Sequence, residues 1–215
     1  MRNNHAITAV TAMLGSAMLA SSASAAVLLP GGSANLSGWV PASGGNTIFS
    51  QSYAFTAIQV PQGSNAATGV LHQTITQQTS GELLFGLRID QFSADAGVEA
   101  TTLEMAGWKN FTVDADYLLA SGMSSPQFIE RSGFNNGGNL TWSQFSGPMD
   151  SGKSSAWMQV LTNAAGFVPD SVRLTLSFSD GSRAVFNVAG PSSIPTPGAA
   201  ALLLGASLCV VRRRR

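Results

Sequence analysis

Apolar and polar residues alternate along most of the middle of the chain, and the period is two rather than 3.6. From Gly69 to Gln77 the chain places Leu71, Gln73, Ile75 and Gln77 on one face and Val70, His72, Thr74 and Thr76 on the other. Glu82 to Phe92 repeats the pattern with Leu83, Phe85, Leu87 and Ile89. With Ser80-Gly81 between them, the two stretches predict a hairpin around Gln78 to Gly81. Further strands are expected over Thr47 to Val60, Phe111 to Tyr117, Gln127 to Phe134, Leu140 to Phe145 and Ser155 to Thr162, and Val98 to Trp108 reads as a strand, with a short helix as the alternative. Pro61 to Thr68 reads as a loop, and Asn135-Asn136-Gly137-Gly138-Asn139 is a strong turn signal.

The last hairpin is the best defined. Val172, Leu174, Leu176 and Phe178 alternate with Arg173, Thr175 and Ser177, and Ala184, Phe186 and Val188 alternate with Val185 and Asn187 on the return. A two-residue Asp180-Gly181 turn would pair Leu174 with Asn187 and break both apolar faces. A three-residue loop, Ser179-Asp180-Gly181, pairs Leu174 with Phe186 and Leu176 with Ala184, with Gly181 in the left-handed conformation of a bulge. Eight to ten short strands with no long amphipathic helix predict an all-β domain. Its expected form is an antiparallel β-sandwich, jelly-roll-like or Greek-key, with barrel-like closure as the alternative.

The two ends break this rhythm. Arg2 is followed by an uncharged apolar run, Ala6 to Ala20, and then by the small residues Ala23-Ser24-Ala25. That order predicts a helical signal peptide cut after Ala25 or Ala26. At the other end Pro195 and Pro197 cannot sit inside a helix. They precede Ala199 to Val211, thirteen residues without charge, and then Arg212, Arg213, Arg214 and Arg215. As a helix the run is about 20 Å long, against about 30 Å of bilayer hydrocarbon. A core helix would be amphipathic, whereas this run is apolar all round. A plain tail anchor is the second alternative. The arginines would hold their end in the cytoplasm.

Pro195-Thr196-Pro197-Gly198, the short apolar run and the terminal arginines together resemble the PEP-CTERM sorting signal of exported bacterial proteins. Thr196 stands where that family has Glu. The resemblance covers about the last 22 residues. It implies processing by an exosortase-like membrane enzyme after transient residence of Ala199 to Val211 in the inner membrane. It also implies a Gram-negative-type envelope, a cell-surface or extracellular destination, and a link to extracellular polysaccharide or biofilm. More loosely, Gly107 to Tyr117 (GWKNFTVDADY) and Glu130 to Phe134 (ERSGF) are similar to a domain of unassigned function in other proteins carrying such tails. The chain thus divides into a signal peptide (1–25), a Gly/Ser-rich leader (26–46), the β-domain (47–190) and a sorting tail (191–215).

Charge and cysteine refine the picture. Arg2 and the four terminal arginines lie in the processed ends, leaving six basic residues against eleven acids, a net −5. An acidic domain argues against nucleic-acid partners. Cys209, in the tail, is the chain's single cysteine, so the exported part has no disulfide and no cysteine metal ligand.

Candidate chemistry is sparse, and neither a catalytic residue nor a cofactor site is singled out. His72 is the only histidine after the signal peptide, and one histidine on a strand does not argue a Ser–His–Asp triad. Asp114 and Asp116 are two apart on a strand, so both carboxylates share a face: ordinary strand acids, or Ca²⁺ ligands. Trp39, Trp108, Trp142 and Trp157 pack in a core or offer a platform for sugar rings. A non-catalytic exported surface or matrix protein is therefore expected. A carbohydrate-binding module is the alternative, with a secreted hydrolase behind it.

Overall fold

The computed structural model describes residues 26–38, 45–58, 65–118, 121–134, 137–146 and 149–194. The signal-peptide residues Ala23 and Ala25, Trp39, and the tail from Pro195 to Arg215 lie outside the described residues, as do both expected terminal helices. Twelve strands form: β1 (Ala26–Val27), β2 (Ser33–Asn35), β3 (Asn46–Ile58), β4 (Asn65–Gln77), β5 (Leu83–Ala94), β6 (Ala100–Met105), β7 (Asp114–Tyr117), β8 (Pro126–Arg131), β9 (Leu140–Phe145), β10 (Met158–Thr162), β11 (Gly166–Phe178) and β12 (Arg183–Ser192). No α-helix occurs among the described residues.

The strands form one sheet in the order β1-β7-β10-β5-β4-β3-β12-β11-β6-β9-β8-β2. Every neighbouring pair is antiparallel. The domain is therefore all-β and antiparallel, as the alternation predicts. The sheet is continuous and curls into a half-barrel. Its midpoint is the weakest seam, because β3 and β12 are joined only at Ile58 and Arg183. Side chains from both halves of the curled sheet share one core. Phe92 on β5 stacks on Phe178 of β11, with centroids 5.7 Å apart and planes 4° from parallel. Phe55 on β3 meets Phe186 of β12 edge-on at 5.7 Å. Phe85 on β5 meets Trp108, which follows β6, edge-on at 5.4 Å.

Both predicted hairpins form, and the last takes the expected register. In the first, Ile75 faces Phe85 and Leu71 faces Ile89. In the last, Leu174 faces Phe186 and Leu176 faces Ala184. Gly181 takes φ +84° in the three-residue loop, and the Phe178 N–H donates to Ser182 O across it. Alternation puts Leu71, Ile75, Leu83, Phe85, Leu87, Ile89, Leu174, Leu176 and Phe178 in the core. Burying each such side chain contributes about 2 kcal/mol.

The stretch expected to be a loose Gly/Ser-rich leader contributes two strands. β1 pairs with β7 through Ala26 and Val27, and β2 pairs with β8 through Ser33 to Asn35. Leu28 and Leu36 are buried. Two- and three-residue strands are too short to show a period, which is why the pattern did not reveal them. The expected loop at 61–68 is also shorter, since β4 starts at Asn65.

Candidate functional site

The outward face of β7, β10, β5, β4 and β3 collects most of the chain's chemistry. Directly opposed residues in a sheet point to the same side. Asp116 opposes Gln159 and Asp114 opposes Leu161. Gln159 in turn opposes Gly86, Gly86 opposes Thr74, Arg88 opposes His72, and His72 opposes Ser52. The alternate residues Ala115, Met158, Val160, Phe85 and Leu87 point inward and are buried.

The β7–β10 end of this face is acidic and enclosed. Asp116 is 2% exposed, and its Oδ1 accepts the Gly38 N–H at 3.1 Å and its neighbour Tyr117 N–H at 2.8 Å. Burial nonetheless raises its pKa from the ordinary value. Asp114 is raised too, first by burial and then by the charges of Asp116 and Glu82. Its Oδ1 is buried without a hydrogen-bond partner. Gln159 is 9% exposed, and its Oε1 is likewise buried without a partner.

Trp157 sits between this end and a polar row. It is half-buried and packs over Gly86. A Cβ at Gly86 would come within 3.3 Å of the indole and 2.7 Å of Thr74 Oγ1. Beside it the structure brings Ser52, His72 and Asp90 together from three strands; the predicted hairpin sets His72 near Asp90, and the pairing of β3 with β4 adds Ser52. Ser52 Oγ lies 2.8 Å from His72 Nδ1. His72 Nε2 lies 3.9 Å from Asp90 Oδ2, beyond hydrogen-bond reach. Asp90 is committed elsewhere: it pairs with Arg88 at 3.1 Å and accepts from Ser154 Oγ at 2.5 Å and from the Gln91 N–H at 3.0 Å. The Ser154 hydrogen bond is the main cause of its lowered pKa. The imidazole thus lacks the carboxylate that would orient it as a base. The row is a partly solvated polar ladder.

Of the other tryptophans, Trp108 and Trp142 are completely buried. Neither can offer its face to a sugar. The stretches 107–117 and 130–134 meet at Arg131, a buried guanidinium without a carboxylate partner among the described residues. It donates to four backbone carbonyls: Gly137 O from Nε at 3.1 Å, Leu28 O from Nη1 at 2.8 Å, and Trp108 O and Phe111 O from Nη2 at 2.9 and 3.0 Å. Burial pulls its pKa down. Arg131 also lines a cleft of about 210 Å³ with Leu29, Pro30, Phe111 and Val113, which carries no carboxylate. Its role is to tie β8 to the segments flanking β7.

No family model, no curated protein and no solved structure matches the chain. Among the described residues no three His, Cys, Asp or Glu side chains cluster as metal ligands, and no helix is long and apolar enough to cross a membrane.

Proposed function

We propose that this chain is an exported, non-catalytic protein of the cell surface or extracellular matrix, sorted by its C-terminal tail. The observation that carries the reading is the fixed order of three parts: Pro195-Thr196-Pro197-Gly198, the apolar run 199–211, and Arg212 to Arg215. The small residues before Val27 supply the matching export signal. On this reading signal peptidase and an exosortase-like enzyme act in turn, and the tail holds the precursor at the inner membrane between the two cuts. A cysteine-free domain that rests on its core alone is compatible with such a route. So are its short edge strands, which leave little unpaired backbone for edge-to-edge aggregation. The facing halves of the curled sheet serve as a sandwich-like scaffold. Mass spectrometry of the exported protein tests this. A mass starting at Ala26 or Val27 and lacking Arg212 to Arg215 is expected. An intact tail on the surface protein would refute the processing.

One observation favours carbohydrate binding as a second reading. Trp157 lies on the outward face with Thr74, Arg88 and Gln159 around it, an indole amid hydroxyl, guanidinium and amide groups. A glycan array probed with the exported protein and its Trp157→Ala variant separates the readings. Loss of a specific signal in the variant supports binding, and no signal from either protein removes it.

A further inference from the structure

We propose that Asp114, Asp116 and Gln159 are the protein ligands of a divalent-cation site, suited to Ca²⁺, on the outward face of the β7–β10 pair. The proposal stands on placement and on unmet valence, and is independent of the sorting reading.

Asp114 and Asp116 are two apart on β7 and point the same way. Gln159 is the direct cross-strand partner of Asp116, so its amide shares that face, with Cβ atoms about 5 Å apart. Two oxygens at this spot have nothing to accept from: Asp114 Oδ1 and Gln159 Oε1. A buried acceptor left unmet costs about 1–3 kcal/mol. Among the described residues neither carboxylate has an ion-pair partner, while Glu82 adds a third negative charge nearby. A water molecule could donate to the two oxygens but would leave the charges uncompensated. A cation would meet both needs at once.

The donor set decides which cation. All ligands are oxygens, two from carboxylates and one from an amide, which is the chemistry of hard ions rather than of zinc or copper. The Asp116 carboxylate accepts the Gly38 and Tyr117 N–H groups at Oδ1 and a further backbone hydrogen bond from Ser37, and its remaining lone pairs would make the ligand bond. Ligands spaced by a β-ladder do not form a tight octahedron. Ca²⁺ tolerates that irregularity with water filling the remaining positions, whereas Mg²⁺ does not. Three protein ligands suit the weak range typical of extracellular modules, about 0.1–1 mM.

Terbium luminescence tests the site with the purified, chelator-treated protein. Trp157 lies two residues before Gln159 on the same face and serves as the sensitiser. Saturable Tb³⁺ emission is expected, displaced by Ca²⁺ well before Mg²⁺, together with a melting temperature that rises in millimolar Ca²⁺. Asp114→Asn should weaken Tb³⁺ and Ca²⁺ binding by about tenfold or more. Without cation the same variant should melt no lower than the parent, because it removes repulsion from Asp116 and Glu82. Gln159→Met, close in volume, should weaken binding several-fold and serves if Asp114→Asn does not fold. Asp95→Asn, in the loop after β5, should change nothing. Absence of saturable emission, or unchanged binding in Asp114→Asn and Gln159→Met, would overturn the site.

Discussion

Gln73 on β4 grips the backbone of Ala189 on β12 as a neighbouring strand would. Its Nε2 donates to Ala189 O at 2.7 Å, and its Oε1 accepts the Ala189 N–H at 2.9 Å. The side chain is fully buried and reaches across 116 residues of sequence. It does so where β12 has parted from β3, their only paired residues being Ile58 and Arg183. Ala189 would otherwise bury a donor and an acceptor with no partner. The amide thus closes the gap that the curl opens in the sheet.

Replacing Gln73 with Leu keeps the volume and removes both bonds. Leaving the two Ala189 groups unmet should cost about 2–4 kcal/mol. Urea denaturation reads this directly. A loss under about 0.5 kcal/mol would mean that water or a shifted strand replaces the amide.

Arg131 satisfies four carbonyls from three nitrogens. Lysine has one nitrogen and cannot span that arrangement. Arg131→Lys should cost about 3 kcal/mol in the same assay. Hydrogen exchange should speed up first around Leu28 and 108–111. Uniform acceleration over all strands would argue that the guanidinium serves the whole core rather than this corner.

Gly86 makes room for Trp157. In Gly86→Ala the new methyl would meet Thr74 Oγ1 and the indole at 2.7 and 3.3 Å. The strand and the indole must part, at about 1–2 kcal/mol. Trp108 and Trp142 are already enclosed, so among the described tryptophans a red shift in emission, measured in a Trp39→Phe background, would report Trp157 moving toward water. Unchanged emission with unchanged stability would show that the outward face is loosely packed there.

Asp90 has a lowered pKa, chiefly from the Ser154 hydroxyl. The native state therefore holds its proton less tightly than the unfolded chain. The stabilisation is fully present above the unfolded pKa and is lost as pH falls through the native one. Ser154→Ala removes the leading cause. It should lower stability by about 1 kcal/mol at neutral pH, since the site is partly solvated. The gap between variant and parent should shrink as pH falls through and below the ordinary carboxylate range. A gap that stays constant with pH would place the effect in packing.

The legible parts of the fold are local. The register of Leu174 with Phe186 followed from period-two alternation and the chemistry of one loop, all within a short stretch. Gln73 was visible as a polar residue on the Leu71–Ile75 face, but its partner Ala189 depends on how the sheet rolls, which no local pattern encodes. The same holds for the site. The shared face of Asp114 and Asp116 could be read from their spacing, whereas Gln159 joins them only through the adjacency of β7 and β10. His72 and Asp90 meet within the predicted β4–β5 hairpin, whereas Ser52 joins them only through the pairing of β3 with β4. Trp108, Trp142 and Trp157 looked alike as sequence, yet Trp108 and Trp142 are enclosed in the core and Trp157 is half-buried on the outward face.

The two rims of the sheet, β1 on β7 and β2 on β8, are finished by one short stretch, residues 26–35. That stretch is the first of the domain to leave the ribosome, yet it cannot settle until 114–117 and 126–131 exist to receive it. Until then both borders stay unhemmed. On the proposed export route a single residue matters: a cut before Ala26 would leave β1 whole, and a cut after it would leave Val27 alone to cover one side.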